Sequence, residues 1–440
     1  MTIQNRNDIL TYCEEQLKTI FPSGVPQEAT DRLMSEMQDH LSICREETVK
    51  QLTLFYKLSH AAKRAGTMIG VAGTAYNSIF VYLLDAAHEI NPLPSHYYCE
   101  NCGHYESGFE LTAGIDLSEK QCPECGNDLR RDGFTLHPQF AWENSNSINF
   151  EYRIPPRFRS IADNVIHKHF RGWHVVMPLG ENSGKNKSPN SVEEIGMAIL
   201  PNTSEVEEGV VNGNTVLLPK DFPDLLGYLR NGKQCIRRDL SDISKEGIKY
   251  TLLVNSGILD CLNRLQEETG IFFEDISSED CDYLTAQDVI NTGLLTKEEA
   301  QTLAAHRPTA FASVAAYAAS PHNSLLADDG SLVSGIDASR KIIASEYPTF
   351  TREDAYEFLL EWFRSDKSAY GVAEKMLMGG ITEENVNEIL RDCPTEFQKQ
   401  AVKTTYLLPR AQAMWRTKQW LRLAWYLERY PQQYSEVIWK

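Results

Sequence analysis

The sequence lacks long apolar runs and has few positive charges for its size. No apolar run approaches the roughly 20 residues that a membrane-spanning helix needs. The N-terminal residues MTIQNRNDIL contain no apolar stretch of the kind found in secretory signals. The chain carries 43 Lys and Arg against 61 Asp and Glu, a net charge of −18. This charge repels nucleic acid over most of the surface but permits one local basic groove. We therefore expect a cytoplasmic protein that does not enter a membrane.

Common hydrolase and phosphate-binding motifs are also missing. No GxSxG nucleophile elbow occurs, although a Cys–His or Ser–His–Asp arrangement assembled by the fold stays open. The segment GENSGKNKSPNS at 180–191 superficially suggests a phosphate-binding loop. It lacks the Ser or Thr that follows the lysine in such loops, and its first glycine stands one residue too close. Its composition instead favours a mobile loop.

Length and periodicity predict an α+β protein with more than one domain. The 440 residues contain 42% hydrophobic residues, enough for a large core. Helical spacing dominates both ends of the chain, and the middle contains short strand-like segments, one of them at 67–69. Two helices are also expected in the middle, from about 78 to 89 and at about 159–169. The predicted units are N-terminal helices at 1–66, a mixed sheet domain at 67–255 that includes a cysteine module at 96–134, and a helical domain at 256–440. Two capping boxes mark helix starts in the last unit, Thr296 with Glu299 and Thr351 with Asp354.

Four of the ten cysteines form two CxxC pairs, Cys99 with Cys102 and Cys122 with Cys125. A glycine follows each pair and permits the tight turn of a zinc knuckle. Four thiolates at this spacing predict a structural Zn²⁺ site, because four protein ligands leave no position open for water. The other cysteines are scattered singly, a pattern typical of a reducing compartment. His96 and His104 are interpreted as ordinary surface residues.

A central segment, ENSNSINFEY at 143–152, alternates like a strand. Ser145 and Ser147 share one face with Glu143 and Glu151, because side chains of a strand alternate between its two faces. Taken alone, this segment fits a half-buried edge strand with two solvated serines.

Several segments together resemble the PolC-type replicative DNA polymerase of Gram-positive bacteria. INPLPSHYYCENCG (90–103) and QCPECG (121–126) resemble the zinc-bearing insertion in that family's palm. The preceding MIGVAGTAYNSIFVYLLDAAHEINPL is similar to its glycine- and serine-rich turn and helix. RLQEETGI (264–271) resembles the segment after the third catalytic strand, and KTTYLLPRAQAMW and LERYPQQY resemble the fingers. The order matches from about residue 25 to residue 435. The resemblance implies a PolC-like palm with an inserted zinc ribbon, followed by helical fingers.

The same resemblance implies that the catalytic metals are lost. The family holds two Mg²⁺ ions with three aspartates. The corresponding positions here are Ser145, Ser147 and Leu252. Bound Mg²⁺ is therefore not expected, and the chain is not expected to be an enzyme. One alternative is that Glu143 or Glu151 has taken over as a metal ligand.

The resemblance also marks positions that contact the nucleotide in the family. These positions are Gly70, Gly73, Thr74, Ser78 and Arg410. The family's phosphate-binding arginine falls on Ala72 or Gly73, and its Lys-Ala-His motif reads Arg410-Ala411-Gln412. Only the basic residue of that motif is kept.

Residues 401–440 form the basic part of this acidic chain, with seven Lys or Arg against two Glu. Tryptophans and tyrosines are interleaved with these cations, an arrangement that can bind nucleic acid. The alternative is an amphipathic helix with buried tryptophans and solvated arginines.

Three functions follow from these observations. The first is a non-catalytic pseudo-polymerase that binds a protein of the replication machinery, or acts as a decoy or accessory factor towards something that recognises the polymerase. The second is a module that binds primer–template DNA through 401–440 without catalysis. The third is a residual polymerase or nucleotidyltransferase with relocated carboxylates.

Overall fold

The protein is a mixed α+β structure, as the sequence predicts. A computed structural model describes residues 3–142, 147–169, 174–176, 197–200, 206–211, 214–219, 226–230, 233–236, 251–277 and 279–438. Ser145, Glu143 and the loop at 180–191 lie outside these residues. No described helix is long and apolar enough to cross a membrane.

Three helices precede the first strand. They are α1 (Arg6–Ile20), α2 (Gln27–Glu36) and α3 (Glu46–Arg64). Helix α1 begins with a capping box, in which the side chain of Asn5 accepts the backbone N–H of Asp8 and the carboxylate of Asp8 accepts that of Asn5. Gly66 follows α3 with a positive φ of 66°. The prediction of helices before Gly66 is confirmed.

The middle of the chain contains most of the strands. Its elements are β1 (Gly70–Ala72), α4 (Ile79–Leu84), β2 (His96–Tyr98), β3 (Tyr105–Glu106), β4 (Arg130–Asp132), α5 (Pro138–Ala141), β5 (Glu151–Ile154), α6 (Arg159–His169), β6 (His174–Val176), β7 (Met197–Leu200), β8 (Val206–Val211), β9 (Asn214–Pro219), β10 (Leu226–Arg230), β11 (Lys233–Ile236) and β12 (Thr251–Asn255). The prediction of a helix at 159–169 is confirmed.

Five of these strands form the central sheet, in the order β1-β5-β12-β7-β6. Strand β12 runs parallel to β5, and the other pairs are antiparallel. Tyr152 and Leu253 are fully buried on one face. Phe55 of α3 stacks on Phe150 and Tyr152, with ring centroids 5.4 and 6.3 Å apart. Helix α3 therefore covers this face, and the side chains at 151 and 153 belong to the opposite face.

The remainder of the chain is mainly helical. Its elements are α7 (Gly257–Thr269), α8 (Ala286–Asn291), α9 (Lys297–His306), α10 (Phe311–Ala319), β13 (Ser324–Leu326), β14 (Leu332–Ser334), α11 (Gly335–Ile343), α12 (Arg352–Trp362), α13 (Asp366–Leu377), α14 (Val386–Ile389), α15 (Thr395–Lys403), β15 (Thr404–Tyr406), α16 (Arg410–Arg429) and α17 (Pro431–Ile438). Both predicted capping boxes are present, at the starts of α9 and α12.

Among the residues that the structure describes, the buried side chains form one large core and two smaller ones. The large core includes residues from the N-terminal helices, the central sheet and α16. A second core lies mainly among α12 to α15, and a third lies inside the cysteine module. Helix α16 therefore packs against parts of the chain that are far apart in sequence. The predicted domain boundaries remain predictions.

Some predicted elements differ from the structure. The strand expected at 67–69 lies at 70–72. The helix expected from about 78 to 89 ends at Leu84, because the buried carboxylate of Asp85 accepts the backbone N–H groups of Ala87 and Glu89 in a turn. The helical unit also contains a three-stranded sheet of order β14-β13-β15.

Candidate functional site: a four-cysteine cluster and the open sheet face

The two CxxC pairs come together in space. All four Sγ atoms lie within 4.8 Å of one another, and the Cys99–Cys125 and Cys102–Cys122 sulfur distances are 3.4 and 3.5 Å. Four thiolates around a tetrahedral ion, each about 2.3 Å from it, would be roughly 3.8 Å apart. The cluster therefore fits a single tetrahedral metal ion.

The backbone turns of the module explain why the thiols converge. The Gly103 N–H donates to the Cys99 carbonyl at 2.9 Å, and the Gly126 N–H donates to the Cys122 carbonyl at the same distance. Both glycines have a positive φ, 78° and 75°. Such a backbone conformation strains any residue with a Cβ. The glycine after each CxxC pair therefore closes the knuckle, as the sequence indicates.

The prediction that His96 is a surface residue is wrong. Its side chain is fully buried, and its ring centroid lies 5.0 Å from that of Tyr105. The ring nitrogen Nδ1 bonds the Pro94 carbonyl at 2.7 Å. His104 is partly exposed, and its Nε2 lies 2.7 Å from the carboxylate of Glu106. The sequence could not distinguish these two histidines, since both stand near a cysteine pair.

The alternation expected at the centre of the chain is present over residues 147–154, but the strand itself begins only at Glu151. Ile148, Phe150, Tyr152 and Ile154 are buried, and the residues between them are partly or fully exposed. Ser147 is partly buried and lies on the same face as Glu151. Residues 151–154 form β5, and Ser147 belongs to an isolated bridge just before it.

The register of the sheet places Leu252 beside Glu151. Across the five strands, one row contains Ala72, Glu151, Leu252, Ala198 and Val176. Glu151 is the single carboxylate in this row. Its Oε1 accepts a hydrogen bond from the guanidinium of Arg153 in the same strand. An ion pair with arginine reduces the negative charge that a divalent cation would need.

The glycine-rich turn after β1 contacts α16. The Gly73 N–H donates to the side-chain Oε1 of Gln412 at 2.8 Å. The indole of Trp415 lies so close to Gly70 that an added Cβ would be 2.3 Å from its ring. The turn and the Arg410-Ala411-Gln412 motif, which the resemblance associates with one ligand, therefore contact each other directly.

This close contact predicts opposite outcomes for two glycine substitutions. Gly70→Ala should destabilise the protein by about 1–3 kcal/mol, because its Cβ overlaps the Trp415 ring. The control, Gly371→Ala in α13, should stabilise it by about 0.5–1 kcal/mol, since no atom lies within 4 Å of the added Cβ. Urea unfolding of both variants measures the two changes. Equal stability of Gly70→Ala and wild type would contradict the contact.

The guanidinium of Arg410 is surrounded by carboxylates of α12. It donates to Glu357 through two hydrogen bonds of 2.6 Å and to Asp354 through one of 2.7 Å. The backbone N–H of Arg410, the first residue of α16, donates to Glu353 at 2.8 Å. Burial lowers the pKa of Arg410, but Glu357 and Asp354 outweigh burial and raise it. A phosphate could reach this arginine only by displacing a carboxylate.

Other cations of α16 are also paired with glutamates. Arg422 makes two hydrogen bonds of 2.9 Å with the buried carboxylate of Glu89, which Gln419 also contacts at 2.8 Å. Arg416 donates to the buried Glu299 at 2.6 Å. The helix therefore directs these positive charges into the protein.

The tryptophans of α16 belong to the core. Trp415, Trp420 and Trp425 are buried, with at most 8% of each residue exposed. The alternative that these tryptophans are core residues is confirmed. That alternative expected solvated arginines, but Arg410 and Arg422 are buried in ion pairs and Arg416 is partly buried in one. Arg429 is exposed, as that alternative expects.

Two further predicted nucleotide-contact positions lie in the same turn. The hydroxyl of Ser78 is buried and donates to Glu36 at 2.6 Å, while it also accepts the Phe80 N–H as the N-cap of α4. Thr74 is partly buried and precedes the short 3₁₀ turn Ala75–Asn77. Phosphate binding at these positions remains a prediction.

The acidic partners of α16 could not be identified from the sequence. Glu299 is marked only as part of a capping box, Glu89 carries no signal, and Glu353 and Glu357 look like surface positions of a helix. The pairs are separated by 53 to 333 residues along the chain. One signal in the sequence was available. Several cations on a helix that is rich in tryptophan indicate that buried carboxylates elsewhere in the chain must pair with them.

Comparison with known proteins finds relatives that align with most of this chain. A protein from Caldanaerobacter subterraneus subsp. tengcongensis is 21% identical over 472 aligned positions, which cover 96% of this chain and 33% of that protein. A protein from Thermotoga maritima is 23% identical over 428 positions, covering 84% of this chain and 30% of that protein. No protein-family model matches the chain.

Both relatives are PolC-type DNA polymerase III. A third relative of this type, from Oceanobacillus iheyensis, is 32% identical over 123 residues, 28% of this chain and 8% of that protein. The resemblance to PolC-type DNA polymerase III is therefore confirmed over most of the chain. The chain spans about a third of the length of the first two of these relatives.

Proposed function

We propose that this chain is a non-catalytic PolC-like protein that acts by binding another protein. In this proposal the central sheet is a PolC-like palm, the cysteine module is its inserted zinc ribbon, and the helices after residue 256 are the fingers. The observation that carries the proposal is the row across the sheet. Leu252 stands beside Glu151 in that row, and Arg153 pairs with the carboxylate of Glu151.

The metal chemistry of nucleotidyl transfer needs several carboxylates around two divalent cations. Ser147, just before β5, stands where the resemblance expects an aspartate, and Leu252 of β12 stands at another such position. Relocation of the site to Glu151 is disfavoured by its arginine partner. These features support loss of catalysis.

The charge distribution favours a protein partner over DNA. The net charge is −18, and Arg410, Arg416 and Arg422 of α16 bind the chain's own glutamates. Cations bind DNA by replacing the counterions on its phosphates. These arginines could do so only after breaking their ion pairs with the glutamates. The partner would be a replication protein, or a factor that recognises the polymerase and for which this chain acts as a decoy or accessory.

The metal ion of the cysteine cluster would be Zn²⁺ with a structural role. Four thiolates favour zinc over harder divalent cations. Cys99, Cys102, Cys122 and Cys125 would occupy all four positions of a tetrahedral ion. The ion would fix the two knuckles of the module relative to each other.

Primer extension tests the loss of catalysis. The wild type should not extend a labelled primer–template with Mg²⁺ or Mn²⁺ and all four dNTPs, and Glu151→Gln should behave identically. An active PolC preparation serves as the positive control. Extension by the wild type that disappears in Glu151→Gln would overturn the proposal in favour of relocated carboxylates.

Binding to the same labelled primer–template by fluorescence anisotropy tests the DNA-binding alternative. We expect no tight binding at about 100 mM salt, because the exposed surface is acidic. Tight binding that weakens steeply with salt would favour the DNA-binding module over the protein partner.

A further inference from the structure

A groove runs between α3 and α6, the two helices on the covered side of the central sheet. It encloses about 470 Å³. Its lining comes from the last two turns of α3, the residue after α3, and one stripe of α6. The described lining residues are Ala61, Arg64, Ala65, Ile161, Asn164, Val165 and Lys168. The α6 positions follow i, i+3, i+4 and i+7 spacing, so they share one helix face.

The floor of the groove is apolar. Ala61 is buried, Val165 is partly buried, and Ala65 is exposed. Ile161 is 38% exposed, so part of its side chain remains accessible to water. The two alanines leave space that larger side chains would fill. This floor therefore offers methyl groups to an apolar partner, and burying them is favourable.

The rims of the groove are positive. Arg64 on α3 and Lys168 on α6 are both exposed. Within the described part of the chain, neither side chain makes a hydrogen bond or an ion pair, unlike the paired arginines of α16. Burial, followed by the charge of Arg64, lowers the pKa of the neighbouring His60 to about 4. This end of α3 is thus locally positive in a chain of net charge −18.

We propose that this groove docks an acidic amphipathic helix of a partner protein. An apolar stripe of that helix would cover the floor, and its Asp or Glu residues would meet Arg64 and Lys168. Charge complementarity selects this occupant. The groove offers a base no aromatic side chain to stack on, so nucleic acid fits it poorly. The proposal rests on the proposed function for its choice of a protein ligand.

A model peptide provides the test. The probe is a fluorescein-labelled amphipathic helix of about 18 residues, long enough for five turns, with leucines on one stripe and glutamates on both flanks. Fluorescence anisotropy at about 100 mM salt should show saturable binding. Arg64→Glu with Lys168→Glu should weaken it about tenfold or more, because two attractive contacts become repulsive. Ala65→Trp should weaken it without any change in charge.

The matched control is Lys367→Glu with Lys375→Glu, which makes the same charge change at two exposed lysines of α13. It should bind the peptide like the wild type. Circular dichroism melting checks that every variant is folded. Absence of peptide binding, equal binding of a peptide with lysines in place of the glutamates, or full affinity of the Arg64 and Lys168 variant would each overturn the proposal. Displacement of the peptide by a DNA oligonucleotide would also overturn it.

Failure of this proposal can be distinguished from failure of the proposed function. Primer extension is measured on the same preparations. If the protein neither extends the primer nor binds the peptide, the docking proposal is wrong and the proposed loss of catalysis still stands. If the protein extends the primer and also binds the peptide, the proposed loss of catalysis is wrong and the docking proposal still stands.

Discussion

Replacing Cys99 by serine should abolish metal binding and unfold the cysteine module. The module's strands contain only two or three residues each. Its own core consists of five buried side chains, Tyr97, Cys99, Leu117, Cys122 and Leu129. A core of this size cannot stabilise a fold alone. Structural zinc contributes about 10–16 kcal/mol in isolated zinc-finger peptides.

Metal content by mass spectrometry and limited proteolysis measure this effect. The wild type should contain one zinc ion per chain, and Cys99→Ser should contain none and be cleaved within 96–134. The control is Cys393→Ser, a buried cysteine of the second core outside the cluster. That variant should keep the zinc. Retention of a full equivalent of zinc by Cys99→Ser would show that the four thiols do not form one site.

Replacing Arg422 by methionine should destabilise the whole protein by about 3–5 kcal/mol. Removing one partner of a buried ion pair leaves the other charge without compensation. Both side chains are almost completely inaccessible to water, at 3% and 1%. Lys418 and Gln419 would still contact Glu89, but they cannot reproduce the two parallel hydrogen bonds of arginine.

Urea unfolding at neutral pH measures this loss. The control is Arg340→Met, which removes an exposed ion pair with Asp337 whose side chains are 73% and 70% accessible. This change should cost less than about 1 kcal/mol. Comparable losses in both variants would mean that Glu89 and Arg422 are not paired in a water-excluded site.

The ion pair between Glu89 and Arg422 also predicts how the free energy of unfolding depends on pH. Burial raises the pKa of Glu89, but Arg422 and Lys418 outweigh burial and lower it to about 2. The folded protein therefore binds this proton less readily than the unfolded chain. The stabilisation is complete above the ordinary pKa of 4.5 and is lost as the pH falls towards 2. The stability of Arg422→Met should fall less steeply over this interval.

Local sequence signals predicted much of the fold and of the candidate site. The alternation of apolar and polar residues over 147–154 predicted which side chains of β5 are buried, because successive side chains of a strand point to opposite faces. The spacing of the cysteine pairs and their glycines predicted the convergence of the four cysteines. The capping boxes at Thr296 and Thr351 gave two helix starts, since each depends on residues only three positions apart.

Features that depend on distant residues could not be predicted in this way. Arg410 was expected to be a phosphate-contact position, and the structure surrounds it with three carboxylates of α12. Nothing in the local sequence of α12 indicates which cation it meets. The contact of Trp415 with Gly70 is equally long-range, because it depends on how α16 crosses the sheet.

The course of α16 determines how the protein should open. Its first residue is held by α12, its middle by Glu299, and its later turns by Glu89. Backbone amides in the middle of α16 can exchange with deuterium only after all of these attachments separate, so they should be among the slowest to exchange. The helix thus couples the second core to the central sheet, and both should lose their protection in a single cooperative step.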